Sequence, residues 1–355
     1  MAKDKKGSAF FIIAFLFLLF GLLLIGDASL IEAQRTFGDK FYFLKRQLIW
    51  AGVGGVLFLI GAKLNYRFWE KLAFFFFALS LIPLALVLLP SFGQIIGGSR
   101  RWLSLGEFTF QPSELVKFSL ITYLAAILAK KKIDIFQLFL VLLLPVGLTL
   151  LEPDFGTSVI MVMAGMVLWF LAGVPLRKII IPSFIFIALG ILLIYISPYR
   201  LSRVKGMADP FYDPQGKSYH SYQLVLTLGS GGLAGVGMGQ SWAKYQYLPY
   251  VTTDSIMAVV GEEFGLIGLS VVITSFMFLL YSGFQIVKKT SDNFAKLLVS
   301  GFVAWLGIQA FVNLSAVAIV MPLTGVPFPF VSYGGSSLVL SLFSLGIIFN
   351  IWQCS

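Results

Sequence analysis

Long apolar runs separated by shorter polar segments dominate this chain. A helix rises about 1.5 Å per residue, so a run of roughly 20 residues can cross the hydrocarbon core of a bilayer. The fifth run is short for a full crossing. The pattern predicts an all-α, polytopic membrane protein of about ten transmembrane helices, with runs at approximately residues 9–26, 46–62, 72–90, 113–129, 137–151, 157–174, 179–197, 259–287, 295–319 and 334–352.

The amino-acid composition also indicates a membrane protein. Hydrophobic residues make up 58% of the 355 and charged residues only 12%, and a soluble domain needs more charge than this to cover its surface. We interpret residues 1–355 as a single transmembrane domain with a large loop, 198–258, between the seventh and eighth runs. The single cysteine, Cys354, excludes an intrachain disulfide and a cysteine-based metal site.

Basic residues indicate the orientation. If the N-terminus is cytoplasmic, the inner segments carry the whole formal charge of +10 and the rest of the chain is balanced. Short inner loops rich in lysine and arginine are typical of membrane proteins. We therefore expect both termini in the cytoplasm, and the surplus charge needs no nucleic-acid partner. The long outer loops are then 91–112, 198–258 and 320–333, with a shorter acidic turn around 152–156.

Charged residues stand beside the predicted spans on this outer side. Glu114 and Lys117 are three apart on the fourth run, so they share a helix face and can form an ion pair. A structural pair and a polar site are both consistent with that spacing, because charge near a bilayer normally faces a cavity. Asp154 stands just before the sixth run, where a carboxylate can cap a helix.

Arginines near the outer leaflet have two interpretations. Arg101, next to Trp102, is either an interfacial residue that extends to the head groups or a phosphate-binding residue. Arg203, with Arg200 and Lys205, opens the largest outer loop and has the same two interpretations.

The stretch LPYVTTDSIMAVVGEEFGLIG brings Asp254 to the start of the eighth run. Asp254 can cap that helix or act as a base. On an ideal helix Glu262 and Glu263 cannot both share a stripe with Asp254. His220 is the only histidine, which excludes Ser-His-Asp chemistry and multi-histidine metal sites, and we expect it to be a loop residue. A base with nearby cations suits a lipid-linked pyrophosphate substrate, or a transporter of such a lipid.

Five phrases carry a family resemblance. They are GGSRRWLSLGEFTFQPSELVK, LEPDFGTSVIM, SYQLVLTLGSGGLAGVGMGQ, TTDSIMAVVGEEFGLIG and PLTGVPFPFVSYGGSS, in this order and all on the predicted outer side. From about residue 10 to its end the chain resembles the SEDS family (shape, elongation, division and sporulation), and within it most the RodA branch.

The resemblance implies an activity and its partners. Members are ten-span glycosyltransferases of the bacterial cytoplasmic membrane that polymerise lipid II into peptidoglycan strands, with undecaprenyl pyrophosphate as the leaving group. They work with a class B penicillin-binding protein. The implied role is cell elongation and rod shape. No organic cofactor is implied, and a divalent cation, Mg²⁺ or Mn²⁺, is left open with unknown ligands.

The resemblance also implies site residues. The family's catalytic aspartate falls on Asp254, which would act as general base. Arg101, Lys117 and Arg203 would compensate the charge of the pyrophosphate, and Glu114 and Asp154 would position those cations or a metal. The family pattern often reads Glu-x-His-Thr-Asp-Phe, whereas this chain has Tyr250, Thr252 and Ser255 at the Glu, His and Phe positions.

Alternatives remain at this level. A lipid II flippase would need charge along a path through the bilayer, whereas the charges here gather on one side. A non-catalytic scaffold for wall synthesis would tolerate Asp254→Ala. An FtsW-type division polymerase would share the same chemistry.

Overall fold

The apolar runs fold as helices in the computed structural model, which describes residues 5–96, 98–106, 108–131 and 133–354. Lys3 and Lys132, two of the basic residues assigned to the inner side, lie outside the described residues. The helices are α1 (Lys5–Ala28), α2 (Leu30–Phe37), α3 (Tyr42–Lys63), α4 (Tyr66–Leu86), α5 (Pro112–Lys130), α6 (Ile135–Leu151), α7 (Phe155–Leu171), α8 (Arg177–Ile196), α9 (Pro198–Ala208), α10 (Tyr219–Gly231), α11 (Ile256–Lys289), α12 (Asn293–Val317) and α13 (Gly335–Cys354), with a π-helical turn at Ala243–Tyr247.

Ten of these helices correspond to the ten predicted runs. Within the described part of the chain, α1, α3, α4, α5, α8, α11, α12 and α13 are long and apolar enough to cross a membrane, and α6 and α7 are shorter apolar helices of 17 residues. The predicted all-α, multi-span membrane fold is confirmed. The fifth run is short, as expected, and Pro145 lies inside its helix.

The middle of the bundle is formed by α5, α12 and α13, which are mostly buried, whereas α3 and α8 are mostly exposed. Between their charged ends, the exposed side chains of α3 and α8 are apolar, as expected of helices that face lipid. Small residues allow the helices to approach closely: a Cβ on Gly346 of α13 would collide with the backbone of Phe58 on α3. The buried trio is therefore a fixed frame for the loops at its ends.

A small antiparallel sheet interrupts the helical pattern between α4 and α5. Its strands β1 (Gly93–Ile96), β2 (Ser99–Leu105) and β3 (Phe108–Phe110) pair in that order, with Leu103 opposite Phe110. This sheet lies in the first of the long segments predicted to be outer. No strand was predicted from the sequence, so the sheet is an addition to the all-α prediction.

The eighth run is one continuous stretch in the sequence, yet its helix is broken. Gly265 in α11 has φ 66° and ψ −168°, which is not helical backbone. A Cβ at this position would collide with the backbone of Leu233 and Gly235 in the preceding loop. Glycine is therefore required twice, for the angle and for the close approach. The break allows that loop to dock into the side of α11.

Candidate active site

Asp254 lies in the turn that leads into α11, at the end of the bundle where the sheet, α9 and α10 also lie. Ser255, not Asp254, occupies the N-cap position of α11, so the capping alternative for Asp254 is wrong. The Asp254 carboxylate accepts a hydrogen bond from the Thr253 hydroxyl at 3.1 Å. A carboxyl group free of the helix terminus can exchange a proton with a ligand.

The electrostatic surroundings of Asp254 suit a base. Burial raises the pKa of Asp254 to about 6, and hydrogen bonds from its own backbone and Thr253 and the charge of Arg203 oppose that rise. A general base is most effective when its pKa is near the working pH. At neutral pH the Asp254 carboxyl group is mostly ionised, and it is more basic than an ordinary aspartate. In this state it can accept a proton.

Arg203 on α9 is the cation that acts on this carboxylate. Its guanidinium donates to the carbonyl of Leu323 and lies 4.7 Å from the centre of the Tyr199 ring. Its charge also lowers the pKa of His220. Arg203 therefore connects α9, the 320–333 loop and the Asp254 turn.

His220 on α10 was expected to be a plain loop residue, and the structure places it at the site. Its Nε2 atom lies 2.8 Å from the hydroxyl of Ser255. Burial, assisted by the charge of Arg203, lowers the pKa of His220 to about 4, so the ring is neutral at physiological pH. No local signal marked this contact, because the two residues are 35 apart in the chain.

Glu114 and Lys117 form the ion pair that their spacing predicts. Lys117 Nζ lies 2.7 Å from Glu114 Oε1, and both side chains are almost fully buried. The ammonium also donates to Gln309 Oε1 at 3.0 Å and lies 5.3 Å from the centre of the Trp305 ring. Since Lys117 is enclosed by these partners, the pair joins α5 to α12.

Two amides on α12 connect these groups to the 320–333 loop. Gln309 donates to the carbonyl of Pro327 at 3.0 Å. Asn313, one turn further, donates to the carbonyls of Asp254 at 2.9 Å and Val326 at 2.8 Å. Neither residue was among the site residues predicted from the sequence. The available signal was a pair of amides four residues apart in an otherwise apolar run.

Arg101 and Asp154 form a second cluster of charge. Arg101 donates from Nε to the carbonyl of Glu152 at 3.1 Å, and its guanidinium lies 3.9 Å from Asp154 Oδ1. Asp154 caps α7, as its position predicts, through the backbone N–H of Thr157 at 3.1 Å. Gln111 also donates to Asp154 at 3.2 Å. The structure therefore pairs Arg101 with Asp154, whereas Arg203 acts on Asp254 through its charge alone.

Glu152 is an additional buried acid that the sequence analysis did not single out. Its side chain is fully buried, and its carboxyl oxygens have no hydrogen-bond partner among the described residues. Burial, and then the charge of Asp154, raise the pKa of Glu152 to about 9 against the effect of Arg101. Glu152 is therefore a neutral acid beside the Arg101 cluster.

Glu262 and Glu263 hold the preceding loop against α11. Glu262 accepts from the hydroxyl of Ser241 and from the backbone N–H of Trp242 at 3.0 Å. Glu263 lies 2.7 Å from Lys244 Nζ, which also contacts Asp27 at the end of α1. Both acids bind loop residues, so their role here is structural.

A metal held by several protein side chains does not fit this site. Over the described ranges, no three His, Cys, Asp or Glu side chains gather closely enough to hold an ion. Mg²⁺ sites on phosphate substrates commonly use only one or two carboxylates and complete the shell with water and phosphate.

Comparisons with known proteins agree with this architecture. The family model FTSW_RODA_SPOVE, described as "Cell cycle protein", matches residues 8–355. A "Probable peptidoglycan glycosyltransferase FtsW" of Trichlorobacter lovleyi is 38% identical over 94% of this chain and 89% of its own length. "Stage V sporulation protein E" of Bacillus subtilis is 33% identical over 97% of this chain and 96% of its own length.

Solved structures are similar over the full length. A chain from a study of how a peptidoglycan synthase complex coordinates polymerisation and crosslinking superposes with a TM-score of 0.82 at 29% identity, covering 100% of this chain and 98% of that chain. The rod shape determining protein RodA of Thermus thermophilus superposes with a TM-score of 0.73 at 28% identity, covering 99% and 97%. Fold and sequence thus agree, and the chain belongs to the FtsW/RodA/SpoVE family, which is the SEDS family.

Proposed function

We propose that this protein is a peptidoglycan glycosyltransferase that polymerises lipid II into glycan strands. The observation that supports it most is Asp254, a partly buried carboxylate at the end of a membrane helix with a pKa of about 6 and a guanidinium nearby. A lipid-linked sugar presents its hydroxyl groups just above the hydrocarbon, at the height of such a residue. Relatives named as peptidoglycan glycosyltransferases support the same activity.

The proposed reaction is a single inverting displacement. The 4-hydroxyl of the N-acetylglucosamine of one lipid II attacks the anomeric carbon of the N-acetylmuramic acid that ends the growing strand. The new C–O bond forms as the bond from that carbon to the pyrophosphate oxygen breaks, and the hydroxyl proton moves to Asp254. General base catalysis of this kind contributes about 10²–10⁴-fold.

The leaving pyrophosphate needs positive charge rather than an acid. Arg203 and Arg101 are the candidates, because each is fixed by backbone carbonyls and a guanidinium has five N–H donors. Asp154 positions Arg101. The enclosed Lys117–Glu114 pair acts on the site through Gln309 and the 320–333 loop, so we assign both residues a positioning role.

A divalent cation enters the proposal only as a partner of the substrate's own pyrophosphate. Among the described residues, no three His, Cys, Asp or Glu side chains form a metal cage, and the steps above are written for the side chains of the protein. The polymerisation assay should therefore be run with and without Mg²⁺ or Mn²⁺.

Orientation and partner are part of the proposal. We place both termini in the cytoplasm and Asp254 on the extracytoplasmic side of the bacterial cytoplasmic membrane, because the basic residues collect in the opposite loops. A class B penicillin-binding protein is the proposed partner, since the similar chain with the highest TM-score quoted above comes from a polymerising and crosslinking complex.

An elongation role and a division role remain two candidates. Similarity to the solved RodA structure favours elongation, and the relatives named FtsW favour division. Expression in cells depleted of either polymerase distinguishes them: restored rod shape indicates elongation, and restored septation indicates division.

The decisive experiment supplies lipid II to the purified full-length protein with its penicillin-binding partner and separates the products on a gel. We expect glycan polymer from wild type and none from Asp254→Asn. Asp209→Asn, an exposed aspartate in the same loop, is the matched control and should polymerise normally. Polymer from Asp254→Asn would reject Asp254 as the base. Transfer of labelled lipid across sealed vesicles without polymer would indicate a flippase.

A further inference from the structure

The backbone of Tyr250, four residues before Asp254, is strained. Its φ is 53°, in the left-handed region that few residues other than glycine, asparagine and aspartate adopt. Strain of this kind persists where the surrounding structure imposes it, and it often accompanies function. A glycine at this position would form the same turn without strain, so the turn alone does not explain a tyrosine.

The turn fixes the backbone of Tyr250, from which the ring projects, relative to the backbone of the base. The carbonyl of Tyr250 accepts hydrogen bonds from the backbone N–H groups of Thr253 at 3.1 Å and Ser255 at 3.3 Å. The Thr253 hydroxyl lies 3.2 Å from the same carbonyl and shares its one proton between that carbonyl and the Asp254 carboxylate. These bonds close a rigid loop that contains Asp254. The backbone positions from which the ring and the carboxylate project are therefore set by the same small unit.

The ring itself is exposed beside a neutral aromatic neighbour. Tyr250 is 54% exposed, and its ring centre lies 6.0 Å from that of His220 at an angle of 40°. His220 is in turn fixed by Ser255, the residue next to the base. The two rings border the Asp254 turn with apolar faces that the described residues do not cover completely.

We propose that Tyr250, supported by His220, forms an aromatic platform on which the acceptor sugar stacks while its hydroxyl meets Asp254. A pyranose ring has an apolar C–H face that packs on an aromatic face and a polar rim that faces water or side chains. The acceptor must lie within hydrogen-bond reach of the base, and the ring and the carboxylate share one rigid turn. This inference rests on the proposed function, because it names the acceptor subsite of that reaction.

Substitutions of Tyr250 separate the contribution of its ring from that of its strained backbone. Tyr250→Phe keeps the ring and the strain. Tyr250→Gly and Tyr250→Asn lose the ring and relieve the strain, so they should fold at least as well as wild type. Loss of the platform should raise KM for lipid II by about tenfold in the Gly and Asn variants, while Phe stays within about twofold. Trp242→Ala, which removes another exposed ring of the same loop, should behave as wild type.

Binding without turnover tests the platform independently. Lipid II and undecaprenyl pyrophosphate, which has no sugar, are titrated in detergent against Asp254→Asn, which should not turn lipid II over, and against its Tyr250→Gly variant. We expect about tenfold weaker binding of lipid II to the variant and unchanged binding of undecaprenyl pyrophosphate. Two results would overturn the platform. Either both proteins bind lipid II with equal affinity, or removal of the ring weakens the binding of both lipids by the same factor.

The two proposals fail in different ways. If wild type polymerises lipid II and ring removal changes neither KM nor binding, only the platform is rejected. If lipid II binding depends on Tyr250 but wild type makes no polymer, the proposed glycosyltransferase activity is rejected, and Tyr250 keeps a role in binding the lipid II sugar but not an acceptor role.

Discussion

Asn313 of α12 donates its side-chain amide to the backbone carbonyl of Asp254 at 2.9 Å and to that of Val326 at 2.8 Å. The proposed base is thus attached through its main chain to a buried helix, while its carboxyl group stays available. The same side-chain amide also attaches the 320–333 loop to α12. One residue therefore sets the distance between the base and the loop that binds Arg203.

Asn313→Ala should lower kcat more than it changes KM. Removal of the amide leaves two carbonyls without this partner, at a cost of about 1–3 kcal/mol in stability, and allows the Asp254 turn to move. We expect at least about a tenfold fall in kcat, because small displacements of a catalytic group are costly. Kinetics with lipid II and thermal unfolding in detergent measure the two effects.

The matched control for this prediction is Asn350→Ala on α13. Asn350 also makes two buried bonds, to the carbonyl of Ala62 at 2.9 Å and from the N–H of Tyr66 at 3.0 Å, but on elements away from the Asp254 turn. It should lose similar stability and keep its kcat. Equal loss of kcat in both variants would show that Asn313 acts only through stability.

The pH dependence of the reaction should follow Asp254. The base must be ionised, and burial raises its pKa to about 6, so kcat/KM should fall as the pH drops below about 6 and reach a plateau above it. The charge of Arg203 lowers that pKa. Arg203→Met should therefore shift the acidic limb to higher pH. A limb that stays in place, or shifts to lower pH, contradicts this assignment.

Local pattern accounts for the membrane helices and for contacts of short range. A run such as 334–352 predicts α13 because length and hydropathy are sufficient for a span. The Glu114–Lys117 pair follows from spacing on one helix, and the Asp154 cap follows from its place before α7. In each case the interacting groups are within a few residues of each other, so the local geometry is fixed by the helix itself.

Long-range contacts could not be predicted in the same way. Gln309 meets Lys117 across 192 residues, and His220 meets Ser255 across 35, so both depend on how helices pack. The break at Gly265 was missed for a related reason: its cause is the docked loop at Leu233 and Gly235, which hydropathy does not describe. Resemblance located Asp254, but it did not identify the neighbours that position it.

Lys117→Met should destabilise the protein strongly, because it leaves Glu114 buried without its cation. Breaking one side of a buried pair costs about 3–5 kcal/mol, whereas replacing both charges by uncharged groups costs much less. The double variant Lys117→Met with Glu114→Gln should therefore regain much of the stability lost by the single one. Thermal unfolding of Lys117→Met, of Glu114→Gln and of the double variant gives a double-mutant cycle. If the stability losses of the two single variants add up in the double variant, the two residues are not coupled.

Gly265→Ala should disrupt the docking of the 232–247 loop onto α11. Alanine at φ 66° and ψ −168°, a conformation found almost only in glycine, costs about 1–3 kcal/mol, and its Cβ would also collide with the backbone of Leu233 and Gly235. We expect a lower melting temperature and a loss of polymerising activity, because that loop leads directly into the Asp254 turn. Gly55→Ala on α3, where a Cβ meets nothing within 4 Å, should be neutral or slightly stabilising. Normal stability and activity of Gly265→Ala would show that the break in α11 is not needed for the site.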